Sequence, residues 1–154
     1  MISMPATKTG SIKVSQQKTD VGIKYTDKSP GQPELIPIFE AIKKLLLPYE
    51  KGTMNLISSA GQVVLVSKKP VEILGRKRDD LWFASALVQK GYVGFYYMPI
   101  YGDPKLKQLI KPELLKCLKG KSCFHIKKYD QEIISQIKDA LNVGYNLWHK
   151  RGWL

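Results

Sequence analysis

A chain of 154 residues, 44% of them hydrophobic, fits one domain with a real core. Its net charge of +12 either attracts polyanions, meaning nucleic acid, anionic lipid or phosphorylated ligands, or marks a well-solvated lysine-rich surface. Two cysteines, Cys117 and Cys123, exclude a disulfide-built secreted domain, and their C-x5-C spacing is neither a zinc-knuckle nor a redox spacing.

Residues 1–32 hold few aliphatics (Ile2, Ile12, Val14, Val21, Ile23) and one aromatic, Tyr25, among Lys, Thr, Ser, Gln, Gly and Pro. Such a stretch buries too little apolar surface to offset an ordering cost of roughly 1–2 kcal/mol per residue, which predicts a disordered basic tail. Its five lysines face two aspartates, so most of the positive charge belongs to the folded part, a single domain over residues 33–154. No apolar h-region opens the chain, and the run Leu45–Leu46–Leu47 is too short to span a bilayer. The expectation is a cytoplasmic protein without membrane contact, a monomer or homodimer.

Pro33 and Glu34 open a helical pattern in which Leu35, Ile38, Phe39, Ile42, Leu45 and Leu46 recur at three- and four-residue steps, with Pro48 as its stop. Residues 52–61 are irregular. QVVLVS at 62–67 reads as a strand, 71–74 as a short second one, and 75–80 (GRKRDD) as a charged turn. Stronger strands follow at 81–88 (LWFASALV) and 92–100 (YVGFYYMPI), joined by the hairpin loop Gln89, Lys90 and Gly91. In the second, Val93, Phe95 and Tyr97 point one way and Tyr92, Gly94, Tyr96 and Met98 the other, so one face meets helices and the other is partly open and lined by tyrosines. Helical turns at 103–110 and 111–118, a strand at 122–126 and a helix from an Asp130 cap to about Lys150 complete the chain, with Cys117 and Cys123 as buried thiols. Consecutive strands between terminal helices argue for an α+β two-layer sandwich, an antiparallel sheet with the N- and C-terminal helices packed on one face.

The densest charge cluster is Arg76, Lys77 and Arg78 with Asp79 and Asp80. It either grips a phosphate or carboxylate partner, with Lys68, Lys69 and Lys90 adding field, or pairs internally with Asp79, Asp80 or Glu72 to pin strand ends. Lysines outnumber arginines 22 to 3, which favours general attraction over bidentate base readout. Tyr92, Tyr96, Tyr97 and Tyr101, with Trp82 and Phe95, have the look of a base-stacking platform. Yet no RNP-type signature is present and both strand faces carry aromatics, so core packing explains most of them better. Tyr92, Tyr96 and Tyr101 stay as a candidate aromatic surface. His125 shares a strand face with Cys123, but no Ser-His-Asp or Cys-His constellation is identifiable from spacing. Gly120-Lys121-Ser122 is no phosphate loop, because a strand pattern follows it instead of a helix.

From about Lys68 onward the chain resembles the YdhG-like family, domains of unknown function often labelled iron chaperone or frataxin-like. The likeness lies in KKPVEILGRKRDDLWFASALVQKGYVGFYYMPIYGDP (residues 68–104) and LLKCLKGKSCFHIKK (residues 114–128). The resemblance implies a frataxin-like fold, two helices on one face of an antiparallel sheet. The iron-chaperone label would further imply iron on an acidic ridge along the first helix and the adjoining edge strand. Here that helix offers Glu34, Glu40 and the trailing Glu50 against Lys43 and Lys44, a departure from the pattern. The residues therefore predict no cofactor, with iron the one metal the label names. The functional expectation is a small non-catalytic binding or chaperone-like protein. Its anionic ligand would meet a basic edge of Lys69, Arg76, Lys77, Arg78 and Lys90. Non-specific nucleic-acid binding through tail and sheet is the second reading, and iron handling the third.

Overall fold

The computed structural model describes residues 25–154. The tail expectation for residues 1–24 lies outside that range. Residues 25–32, which composition groups with the tail, are tied to the domain by hydrogen bonds. The Tyr25 hydroxyl donates to the Val88 carbonyl at 2.8 Å, and Gln32 bridges Gln89 and Gly91.

Helix α1 (Ile36–Leu46) forms where the three- and four-residue apolar repeat predicts it, and it buries Ile38, Phe39, Ile42 and Leu46. A 3-10 turn at Pro33–Leu35 leads into it, and another at Leu47–Tyr49 carries the chain past Pro48. Strand β1 (Met54–Ser59) then pairs with β2 (Gln62–Ser67). Residues 52–61, expected to be irregular, thus supply a full strand. Its apolar residues are too few to alternate visibly, and its partner sets its conformation. A separate two-stranded ribbon follows, β3 (Val71–Ile73) with β4 (Arg76–Arg78). The long hairpin of β5 (Leu81–Gln89) and β6 (Tyr92–Tyr97) occupies the centre of the sheet.

Strand β6 ends three residues earlier than the apolar run suggests. Helix α2 (Pro99–Gly102) begins with a proline that has no N–H for the sheet ladder. A 3-10 stretch at Pro104–Leu109 and helix α3 (Pro112–Leu115) follow. The expected second helical turn is cut short, because Leu118 and Lys119 form β7 against β8 (Cys123–Ile126). Cys117 falls in the turn between α3 and β7, and both thiols are free and half-buried rather than sealed in the core. Helix α4 (Gln131–Lys150) starts at the predicted cap, where Asp130 Oδ1 accepts from the Glu132 amide at 2.9 Å.

The six strands run β1-β2-β5-β6-β8-β7, each neighbouring pair antiparallel, and α1 and α4 pack against the sheet. This is the expected α+β arrangement. A bulge on β5 sets Trp82 opposite Val66 and Ala84 opposite Leu65, leaving Phe83 unpaired. Phe83 turns into the core, edge-on to Tyr97 and to Trp148 of α4. The Tyr97 hydroxyl donates to the Ala140 carbonyl of α4 at 2.5 Å, and burial pushes its pKa well up. Gly144 admits this approach. A Cβ there would press on the Tyr97 hydroxyl and lie 2.9 Å from the Pro99 ring.

Gly144→Ala is therefore expected to cost about 1–3 kcal/mol of stability by overpacking. It should read as a lower urea midpoint with an unchanged slope. An unchanged midpoint would mean that α4 slides without penalty.

Candidate functional site

The Arg76-Lys77-Arg78 cluster lies on a strand, not in the charged turn that composition suggests. The turn is Leu74-Gly75, both at positive φ (52° and 78°), closing a tight two-residue hairpin. Register sets Val71 opposite Arg78, Glu72 opposite Lys77 and Ile73 opposite Arg76. Opposed residues share a face, so both arginines stand with Val71 and Ile73, while Glu72 stands with Lys77 on the other side. Arg76, Lys77 and Arg78 are all exposed. Among the described residues no ion pair joins any of them to a carboxylate. Asp80 is taken by Lys68 at 2.7 Å instead. Leu74 is 97% exposed at the tip. A leucine at positive φ carries about 1–3 kcal/mol of backbone strain.

Two lysines grouped with this cluster lie elsewhere. Lys69 is half-buried and directs its amine at the Leu154 carbonyl, 3.4 Å away. Lys90 sits in the β5–β6 turn, at the far end of β5 from the ribbon. Nine extended residues separate the two ends, roughly 30 Å. The basic edge therefore reduces to the ribbon.

The candidate aromatic surface also divides. Tyr92 and Tyr96 stand on the sheet face opposite Val93, Phe95 and Tyr97, where they meet Cys123 and His125 of β8. Tyr92 stacks on the His125 ring with centroids 3.8 Å apart. Gly94 lies between the tyrosines, and its missing side chain gives their rings room. Tyr101 belongs to α2, exposed, with Lys121 Nζ 5.8 Å from its ring centre. The same sheet face continues across β2 and β5 as Gln62, Val64, Val66, Ser85 and Leu87, all buried yet outside the main core cluster. Gln62 Nε2 and Ser85 Oγ have no hydrogen-bond partner among the described residues. Sequence reasoning placed Tyr92 and Tyr96 on this face and missed Gln62 and Ser85. Their polarity inside two apolar strand runs was the available signal.

The cluster around Cys123 is held uncharged. Burial pushes the Cys123 thiol up, and burial followed by the neighbouring Cys123 takes the Tyr96 phenol to about 12. Burial, then Lys119 and Lys127, pushes the His125 imidazole down. At neutral pH these directions leave the thiol protonated and the imidazole, stacked on the Tyr92 phenol, neutral.

Iron does not fit the acidic positions of the first helix. Glu40 borders a groove of about 560 Å³ that it shares with Lys43 and Lys44, whose ammonium groups repel a hard cation. The Glu50 carboxylate accepts the Leu56 amide at 3.1 Å. Among the described residues no three His, Cys, Asp or Glu side chains converge, and no helix is long and apolar enough to cross a membrane. No protein-family model matches the chain, and neither curated proteins nor solved structures give a match.

Two measurements check these environments. Anaerobic calorimetric titration with ferrous iron is expected to give a flat trace, whereas saturable micromolar binding would place a metal site among the carboxylates. His125 has a lowered folded pKa, so its contribution to stability is complete above the ordinary imidazole value of about 6.5 and fades as pH falls below it. Wild type should then lose more stability than His125→Asn between about pH 7.5 and about pH 5 in urea melts. Equal losses would show that His125 protonates as freely in the fold as in water.

Proposed function

We propose that this chain is a non-catalytic binding protein of the YdhG-like type that holds an anionic ligand on the β3–β4 ribbon. The observation that carries the reading is the run Arg76-Lys77-Arg78, three exposed cations with no carboxylate partner among the described residues. Cations that merely pin strand ends are paired with acids. These are not, and the nearest such role is filled by Lys68 and Asp80. Arginine adds a planar fork suited to phosphate or carboxylate oxygens, and two of the chain's three arginines sit here.

Nucleic acid is the second reading, favoured by the net charge of +12. That reading runs through the tail and the sheet, and like the first it predicts binding that weakens steeply with salt. Inorganic polyphosphate is the simplest probe. Binding by calorimetry should fall severalfold or more between about 50 and about 200 mM salt. Arg76→Ala with Arg78→Ala should lower affinity at least about tenfold, since charge-assisted contacts are each of the order of 1.5–3 kcal/mol. The melting temperature should stay within a few degrees. No binding by wild type would sink the reading, and collapse of the double variant would return the arginines to a structural role.

A further inference from the structure

The ribbon has one feature that anion binding does not use. Its tip is a leucine, 97% exposed and at φ 52°, in a turn position that favours Asn, Asp or Gly. A polar residue would relieve the backbone and hide no apolar surface. Leu74 is thus costly to the fold twice over, through strain and through exposure, and nothing among the described contacts offsets either. Behind the tip, Arg76 and Arg78 share a face, two residues apart along one strand. That spacing is roughly 6.8 Å, two base-pair rises of a DNA duplex. The ribbon is a sheet of its own, and its strand axes lie about 4.8 Å apart. With atomic radii added the ribbon is wider than a minor groove of about 6 Å, so the Leu74 side chain at the tip is the part slim enough to enter it.

Resting on the anion-binding reading above, we propose that the β3–β4 ribbon is a duplex-DNA wedge. Arg76 and Arg78 take the phosphates bordering the minor groove, and Leu74 inserts between base pairs and kinks the duplex. Apolar wedges of this kind unstack one base step, and pyrimidine–purine steps such as TA yield most readily. The carboxylates nearby do not oppose the contact face. Asp80 is paired with Lys68, Glu72 stands on the opposite face, and Asp79 lies at the base of the ribbon past Arg78. A lipid surface suits the ribbon less well, because one leucine is far less apolar surface than even a single acyl chain, which itself binds only marginally. Double-stranded RNA suits it less well too, since its minor groove is wide and shallow.

The test uses the full chain and a DNA duplex of about 25 base pairs with a central TA step, carrying a donor and an acceptor dye at its ends. Wild type is expected to bind and to raise energy transfer as the ends approach. Leu74→Asn, which suits the turn and should fold at least as well, is expected to keep binding within about threefold and to lose the bend. Arg76→Ala with Arg78→Ala should reduce the slope of log affinity against log salt by about two. Bending by Leu74→Asn equal to wild type would overturn the wedge. Polyphosphate binding without duplex binding would also overturn it while leaving the anion reading intact, and binding to neither would remove both. Leu74-dependent binding to vesicles of phosphatidylglycerol, with no bending of DNA, would reassign the tip to membranes.

Discussion

Tyr97 closes β6 with its ring sealed among Phe83 and Phe95 and its hydroxyl on the Ala140 carbonyl, and this contact sets how closely α4 approaches the sheet. A phenol buried this deeply needs a partner for its hydroxyl, and it finds one in a helix carbonyl brought close by a missing side chain at Gly144. Once α4 is fixed there, Trp148 meets Phe83, and the bulge on β5 that exposes Phe83 to the core has its reason. The odd-numbered positions of β6 are thereby committed to the helices. Tyr92 and Tyr96 are committed, by the same two-residue period, to the opposite face.

The two faces consequently differ in chemistry. One is dry and aromatic, sealed by α1 and α4. The other mixes buried aliphatics with polar atoms that find no partner among the described residues and with a neutral cluster of thiol, imidazole and phenols. The strongest charge sits on neither. It is carried on a small ribbon between β2 and β5, so a ligand can be gathered there without disturbing the packing that holds the sheet.

Much of this architecture was legible in the residues. The stripe from Ile38 to Leu46 and the alternation across Tyr92–Tyr97 each follow from a single physical period, the Asp130 cap from its side-chain oxygen, and each appears where predicted. Strand β1 was not legible, because MNLISS neither alternates nor concentrates β-branched residues, and only pairing with β2 makes it a strand. Arg76–Arg78 misled for the opposite reason. Three consecutive cations look like a solvated loop, whereas a strand exposed along its whole length places no demand on hydrophobicity. Grouping Lys90 with those arginines failed on distance alone, since nearness in composition says nothing about the length of the strand between them.

Glu50 has a consequence for how the sheet behaves toward other chains. Its carboxylate takes the outward-facing amide of Leu56, on the edge that β1 presents among the described strands. An edge strand of six residues with exposed Asn and Ser is otherwise an open template for a seventh strand from a neighbour. The opposite edge, β7, is only two residues long and offers too few groups to be copied. One carboxylate at one margin and brevity at the other work as terminators, stopping a flat array of hydrogen-bonding groups from growing by recruiting its own kind.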